Sequence, residues 1–194
     1  MTPFALFFFY ILVILLIFLP RKYAALPILV SVFYMTGGPR IDIGSLAFYV
    51  NRLLILVGTF RIILRREWPE TSPNKVDRAY YLWIIIMFIT GSLRNLEINT
   101  IINRAAQVFD AFGIYFLFRS FIRESEDIKQ VLHWITILLI PLALIMLFER
   151  LTSYNLFSIL GGVPEVPAIR GGRMRCQGPF AHPILAGTAG ATSL

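Results

Sequence analysis

The sequence predicts an all-α protein: a polytopic transmembrane helix bundle with about six complete spans and the start of a seventh. Composition is the first ground, since 57% of the 194 residues are hydrophobic and 15% are charged, with a mean hydropathy of +0.73. A soluble domain of this length has too little interior to hide that much apolar surface. The second ground is pattern, because apolar runs recur along the chain between short hydrophilic breaks. The third is aromatic content: 17 Phe and 8 Tyr suit lipid-facing and interfacial positions.

Taken in order, the apolar segments run over residues 3–19, 23–36, 46–64, 79–93, 105–122 and 131–148. The first has no basic residue before it and Arg21 and Lys22 after it, the reverse of a secretory signal peptide, so it is expected to be a retained helix. The second is short for a bilayer core of about 30 Å at 1.5 Å per residue, and is expected to tilt or borrow flanking residues. Pro141 lies inside the sixth and is expected to kink it. Residues 149–160 carry apolar positions at mixed helical spacing, which fits a short interfacial helix. Gly161, Gly162, Pro164 and Pro167 then break regular structure. A seventh helix is expected from Pro183, a residue favoured in a first turn. Ala186 with Gly190, and Gly187 with Ala191, give it small-xxx-small spacing. The run from Ile184 to Leu194 amounts to roughly 16 Å of helix, so the chain is expected to be the N-terminal part of a longer protein. Three sections result: 1–148 with helices one to six, 149–182 as an extracytoplasmic loop, and 183–194 as the start of the seventh helix.

The net charge of +7 has a plain account in basic residues at loops and helix ends. With the N-terminus outside, ten Lys and Arg fall in inner loops and seven in outer ones. The hydrophilic connector 65–78 is the strongest inward signal. No basic stripe with interleaved aromatics and no zinc spacing is present, so no nucleic-acid partner is expected. Cys176 is the single cysteine, which excludes an intrachain disulfide and a thiolate metal cage. No cofactor and no metal site are expected. There is no P-loop, HExxH or GxSxG pattern.

The residues with chemistry gather in the loop before the seventh helix. Arg170, Arg173, Arg175 and His182 fall within thirteen residues of a Gly- and Pro-rich stretch. Guanidinium groups stay charged and pair with two phosphate oxygens at once. A helix start adds free N–H groups and the positive end of a dipole. Together they make a receptor for a pyrophosphate; the bland alternative is that the arginines meet lipid headgroups and His182 caps the helix. Inside the apolar segments, Arg52 and Asp110 stand out. They pair with each other, or Arg52 turns toward the same anion as the loop arginines, or it snorkels outward. His133 beside Trp134 is expected to be interfacial, and 123–130 to be a solvated turn.

At RCQGPFAHPILAG, residues 175–187, the chain resembles the O-antigen ligase and polymerase family of multi-pass inner-membrane proteins. Arg175, Gly178, Pro179, Phe180, His182 and Pro183 occupy that family's extracytoplasmic motif in order, with Ile184 where the family often has Asn. The segment FERLTSYNLFSILGG before it is also similar, and the wording resembles members associated with exopolysaccharide loci. The resemblance implies a glycosyltransferase of polysaccharide biosynthesis in the bacterial cell envelope. Its donor would be an undecaprenyl-pyrophosphate-linked glycan, its acceptor a saccharide, and its setting the outer leaflet of the lipid bilayer. By motif match Arg175 would stabilise the leaving pyrophosphate, with His182 as a second catalytic residue. Arg170, Arg173 and Gln177 would complete the pyrophosphate-binding set. The family's later helices and large late loop do not occur before Leu194, so this chain would hold the donor-binding half and be inactive alone. A non-catalytic transporter or flippase subunit for an anionic lipid-linked saccharide is the alternative.

Overall fold

The computed structural model describes residues 2–43, 46–70, 72–93 and 96–192. Helix α1 (Pro3–Phe18) starts on Thr2, whose Oγ1 accepts from the Ala5 N–H, and has Pro3 in its first turn. A 3-10 turn (Arg21–Tyr23) separates it from α2 (Ala25–Tyr34). An antiparallel hairpin, β1 (Arg40–Ile43) and β2 (Leu46–Tyr49), leads directly into α3 (Val50–Arg65). Helices α4 (Lys75–Leu93), α5 (Ile98–Phe121) and α6 (Ser125–Thr152) follow. A 3-10 turn (Leu156–Leu160) and a second hairpin, β3 (Ala168–Arg170) with β4 (Arg173–Arg175), precede α7 (Pro183–Thr192).

The core forms where α1, α2, α3 and α5 meet. Leu12 and Leu16 of α1, Leu54 and Ile62 of α3, and Leu117 and Phe121 of α5 are buried there together. A second cluster joins the other face of α2, through Leu29 and Phe33, to Leu142 of α6 and Phe157. Helices α3 and α5 approach closely because glycines face them. A Cβ placed on Gly113 lies 2.3 Å from Cγ2 of Ile55, and one on Gly58 lies 2.9 Å from both methyl carbons of Leu117.

Charged groups stitch the ends nearest residues 61–78 and 119–127. Arg61 donates from Nε and Nη2 to the Glu67 carboxylate at 2.9 Å each, and from Nη1 to the Leu16 carbonyl at 2.5 Å. Asp77, fully buried, accepts from the Asn74 N–H at 2.6 Å and from the Tyr115 hydroxyl, and it pairs with Arg119 at 2.8 Å. Asp127 caps the start of α6 with the Arg123 N–H at 3.0 Å and meets Arg21 at 3.4 Å. Burial pushes the Asp127 carboxyl up, but the two backbone N–H groups and the Arg21 charge outweigh it and hold it below its usual value. The stretch 123–130 is therefore solvated, as expected, but forms a tied helix start rather than a turn.

The expectation of six transmembrane spans and the start of a seventh is corrected. Among the described residues, two helices are long and apolar enough to cross a membrane: Lys75–Leu93 and Ser125–Thr152. The reason is that a run of apolar residues reports composition and not helix length. Helices α1 and α3, of 16 residues each, and α2, of 10, rise roughly 24, 24 and 15 Å at 1.5 Å per residue, against about 30 Å of hydrocarbon. Pro20 and the break at Gly37–Pro39 end the first two early, and the first residues of the 46–64 run are strand β2. Helix α5 is 24 residues long but carries Asn103, Arg104, Gln107 and Asp110 between its start and its middle. Helices α4 and α6 do turn large apolar side chains outward, Leu82 and Ile86 on one and Leu144 and Leu147 on the other. The multi-pass inner-membrane localisation and the lipid-bilayer partnership followed from the six-span frame and are set aside with it. Arg94, one of the seven basic residues assigned to outer loops, and Leu194 lie outside the described residues.

Candidate functional site

The loop between α6 and α7 is built on a carboxylate. Glu149, in the last turn of α6, is fully buried. Its Oε1 accepts the Gln177 N–H at 3.1 Å and its Oε2 accepts the Gly178 N–H at 2.9 Å. Asn155, also fully buried, donates from Nδ2 to the Gly178 carbonyl at 2.9 Å and accepts the Phe157 N–H on Oδ1 at 3.0 Å. The Gln177 amide donates to the Phe180 carbonyl at 3.0 Å, and Gln177 is 4% exposed. Residues 177–180 are thus held from both sides. Cys176 sits at the edge of this nest, where burial first and the Glu149 charge second push its thiol up.

Beyond the nest, the β3–β4 hairpin closes through Gly171 and Gly172, with φ of +59° and +71°. Two consecutive left-handed residues make the tight primed turn that matches strand twist, and glycine takes that conformation without strain. The register places Arg170 opposite Arg173, Ile169 opposite Met174 and Ala168 opposite Arg175. Facing residues share a side of the ribbon and alternate along each strand, so Arg170, Arg173 and Arg175 all lie on one side. Arg170 and Arg173 are exposed and Arg175 is half-buried. Among the described residues none of the three makes an ion pair or a side-chain hydrogen bond. Like charges directly opposite on a two-stranded ribbon destabilise it.

His182 stands apart from the arginines. Its Nδ1 accepts the Ile184 N–H at 3.3 Å and its carbonyl accepts from Leu185 and Ala186, so it starts α7, with Pro183 as first helical residue. No hydrogen bond joins it to the hairpin guanidiniums. His133 lies in α6 near Trp134, which packs on Tyr23.

Arg52 and Asp110 meet face to face. Arg52 donates from Nε to Oδ1 at 2.8 Å and from Nη2 to Oδ2 at 2.6 Å, and its guanidinium lies 5.7 Å from the Tyr49 ring centre. The Asp110 hydrogen bonds raise the guanidinium's hold on its proton, against a smaller opposing effect of burial. The pair lines an open cavity of about 370 Å³, with Phe180 of the loop among its walls. It therefore lies beside the 177–182 nest rather than in the hairpin.

Sequence reasoning passed over Glu149 and Asn155. A signal for Glu149 was present: a carboxylate at a helix C-terminus opposes the dipole and is out of place without donors of its own.

No family model matches the chain, and no curated protein and no solved structure matches it. The resemblance to the O-antigen ligase and polymerase family is therefore corrected. It rested on a short motif and a six-span frame; among the described residues two helices of spanning length are found, and the motif's Gln177–Phe180 stretch forms a nest closed on buried Glu149 and Asn155 and by its own Gln177–Phe180 bond. The glycosyltransferase function, with its lipid-linked glycan donor and saccharide acceptor, falls with that resemblance. The transporter or flippase alternative falls too, because it needed the same bundle.

Proposed function

We propose that the section 149–182 serves to bind a phosphate-bearing ligand on the arginine side of the β3–β4 hairpin. The observation that carries this reading is the alignment of Arg170, Arg173 and Arg175 on one side of a two-stranded ribbon, without a carboxylate among the described residues to neutralise them. Three forks of donors at strand spacing suit a group with several charged oxygens, phosphate or pyrophosphate. Arg175, the half-buried member, is the least screened and takes the leading role. Gln177 acts by shaping the loop, and His182 by starting the helix that follows.

The test is calorimetric titration of sodium pyrophosphate and of sodium phosphate into the full chain at low and raised salt. Saturable binding that weakens with salt and is lost in the Arg173→Ala, Arg175→Ala double variant is the expected result. Binding that survives in that variant, with its circular dichroism unchanged, refutes the assignment, as does no binding to the parent chain.

A further inference from the structure

The cavity beside Arg52 and Asp110 has no part in the hairpin and offers a different chemistry. It opens between the end of α2, the first turn of α3, the middle of α5 and residues 179–181, with a volume of about 370 Å³, a size that suits a small metabolite. Its polar groups are fixed in advance. Asp110 holds Arg52 by two hydrogen bonds, and the carboxylate is the more open partner: the Asp110 side chain is 35% exposed and that of Arg52 12%. Each Asp110 oxygen accepts one bond from Arg52 and keeps a second lone pair.

Asn51 is fixed as well. Its Oδ1 accepts the hydroxyl of buried Ser31 at 2.5 Å. With the oxygen occupied, the Nδ2 group is directed away from Ser31, and no described residue accepts from it. Asn51 lines the cavity, as does Tyr49, which provides no side-chain hydrogen bond to the first turn of α3. Met35, Ile114 and Phe180 supply apolar wall.

Gly58 and Gly113 bring α3 and α5 into close contact through Leu117 and Ile55, a packing contact separate from the Arg52–Asp110 pair. Being neutral overall, the pair also selects its ligand. A simple anion meets the open carboxylate of Asp110, and a simple cation competes with Arg52 for it. A molecule with both charges a few bonds apart satisfies the two ends together. We infer that this cavity binds a small zwitterion of the α-amino-acid kind, its ammonium on Asp110 and its carboxylate on the Asn51 amide and the first turn of α3, with its side chain against Met35 and Phe180. The turn contributes as the positive end of a helix dipole.

The experiment uses the full chain with the side-chain amide of Asn51 followed by NMR. Glycine, L-alanine, L-leucine and L-glutamine are titrated in turn, with sodium phosphate and n-butylamine as comparators that carry one sign of charge only. The expected result is a saturable shift of the Asn51 resonance with at least one amino acid and none with either comparator. Asp110→Asn should weaken that binding about tenfold, the effect of removing one charge-assisted bond. Ala181→Phe, which narrows the cavity without touching the ion pair, should abolish it. Arg173→Ala, in the hairpin, should leave it unchanged, so failure here and failure of the phosphate reading are told apart. A shift with phosphate or butylamine equal to that with the amino acids overturns the inference. So does amino-acid binding that persists in Ala181→Phe, and so does the absence of a shift with all four amino acids at their solubility limits.

Discussion

Replacing Glu149 by glutamine keeps the size of the side chain and removes the charge that organises the α6–α7 loop. In the parent chain the two carboxylate oxygens each accept one backbone N–H, from Gln177 at 3.1 Å and Gly178 at 2.9 Å. Glutamine retains one acceptor and sets an NH2 group against the other N–H. One charge-assisted bond is lost, the second is weakened, and two donors face each other at a site with no exposure. With hydrogen bonds to a charged group worth about 1.5–3 kcal/mol, the local cost comes to roughly 2–4 kcal/mol. Hydrogen exchange at the Gln177 and Gly178 amides reads this directly, since 1.4 kcal/mol is a factor of ten. Protection should fall by roughly 30- to 700-fold at both amides. The control is Glu165→Gln, because Glu165 is exposed and engages Asn155 through its backbone carbonyl; it should leave both amides unchanged. Protection in Glu149→Gln within about threefold of the parent would refute the account of the loop as held by a buried carboxylate.

Three further expectations follow from the packing and the charges. Gly113→Ala places a methyl 2.3 Å from Ile55 Cγ2 and should cost about 1–3 kcal/mol in chemical denaturation, with Ile55→Ala restoring part of the loss; strict additivity of the two would sink the explanation. Asp127 has a folded-state pKa held below its usual value, so its contribution is present above the ordinary carboxylate range, about pH 4, and fades as pH falls through the lower folded value. The stability difference between the parent and Asp127→Asn should shrink on acidification below about pH 4; a difference constant from neutral pH down to acid contradicts the assignment. Arg173→Gln removes the charge facing Arg170 across the hairpin. It should raise the melting temperature slightly in anion-free buffer, by relieving a cross-strand repulsion, while weakening pyrophosphate binding; a variant that melts lower without ligand speaks against a ribbon strained by its own charges.

Local sequence signals locate turns and helix starts because their causes are local. Pro183 opens α7 and the Gly161–Gly162 break ends the 3-10 turn, as their positions predict, whereas the Gly171–Gly172 hairpin lies in a stretch the sequence marks only as loop. The apolar runs fall where helices run, but the length of a run is not the length of a span. The runs at 3–19 and 23–36 hold helices of 16 and 10 residues, and the start of the 46–64 run pairs as strand β2, which is why the sequence predicts six spans and two helices of spanning length are found among the described residues. The candidate site divides in the same way. Residue types alone single out the arginines at 170, 173 and 175, since a guanidinium has the same chemistry wherever it lies. That they share one side of a ribbon is a matter of register, fixed by hydrogen bonds between strands.

Glu149 and Gln177 lie 28 residues apart, and Arg52 and Asp110 lie 58 apart. No periodicity joins such positions. The sequence by itself determined the local conformers and the store of charge; the tertiary structure alone decided which charges found partners, because pairing at that separation is settled by how helices pack and not by any property of the residues between them.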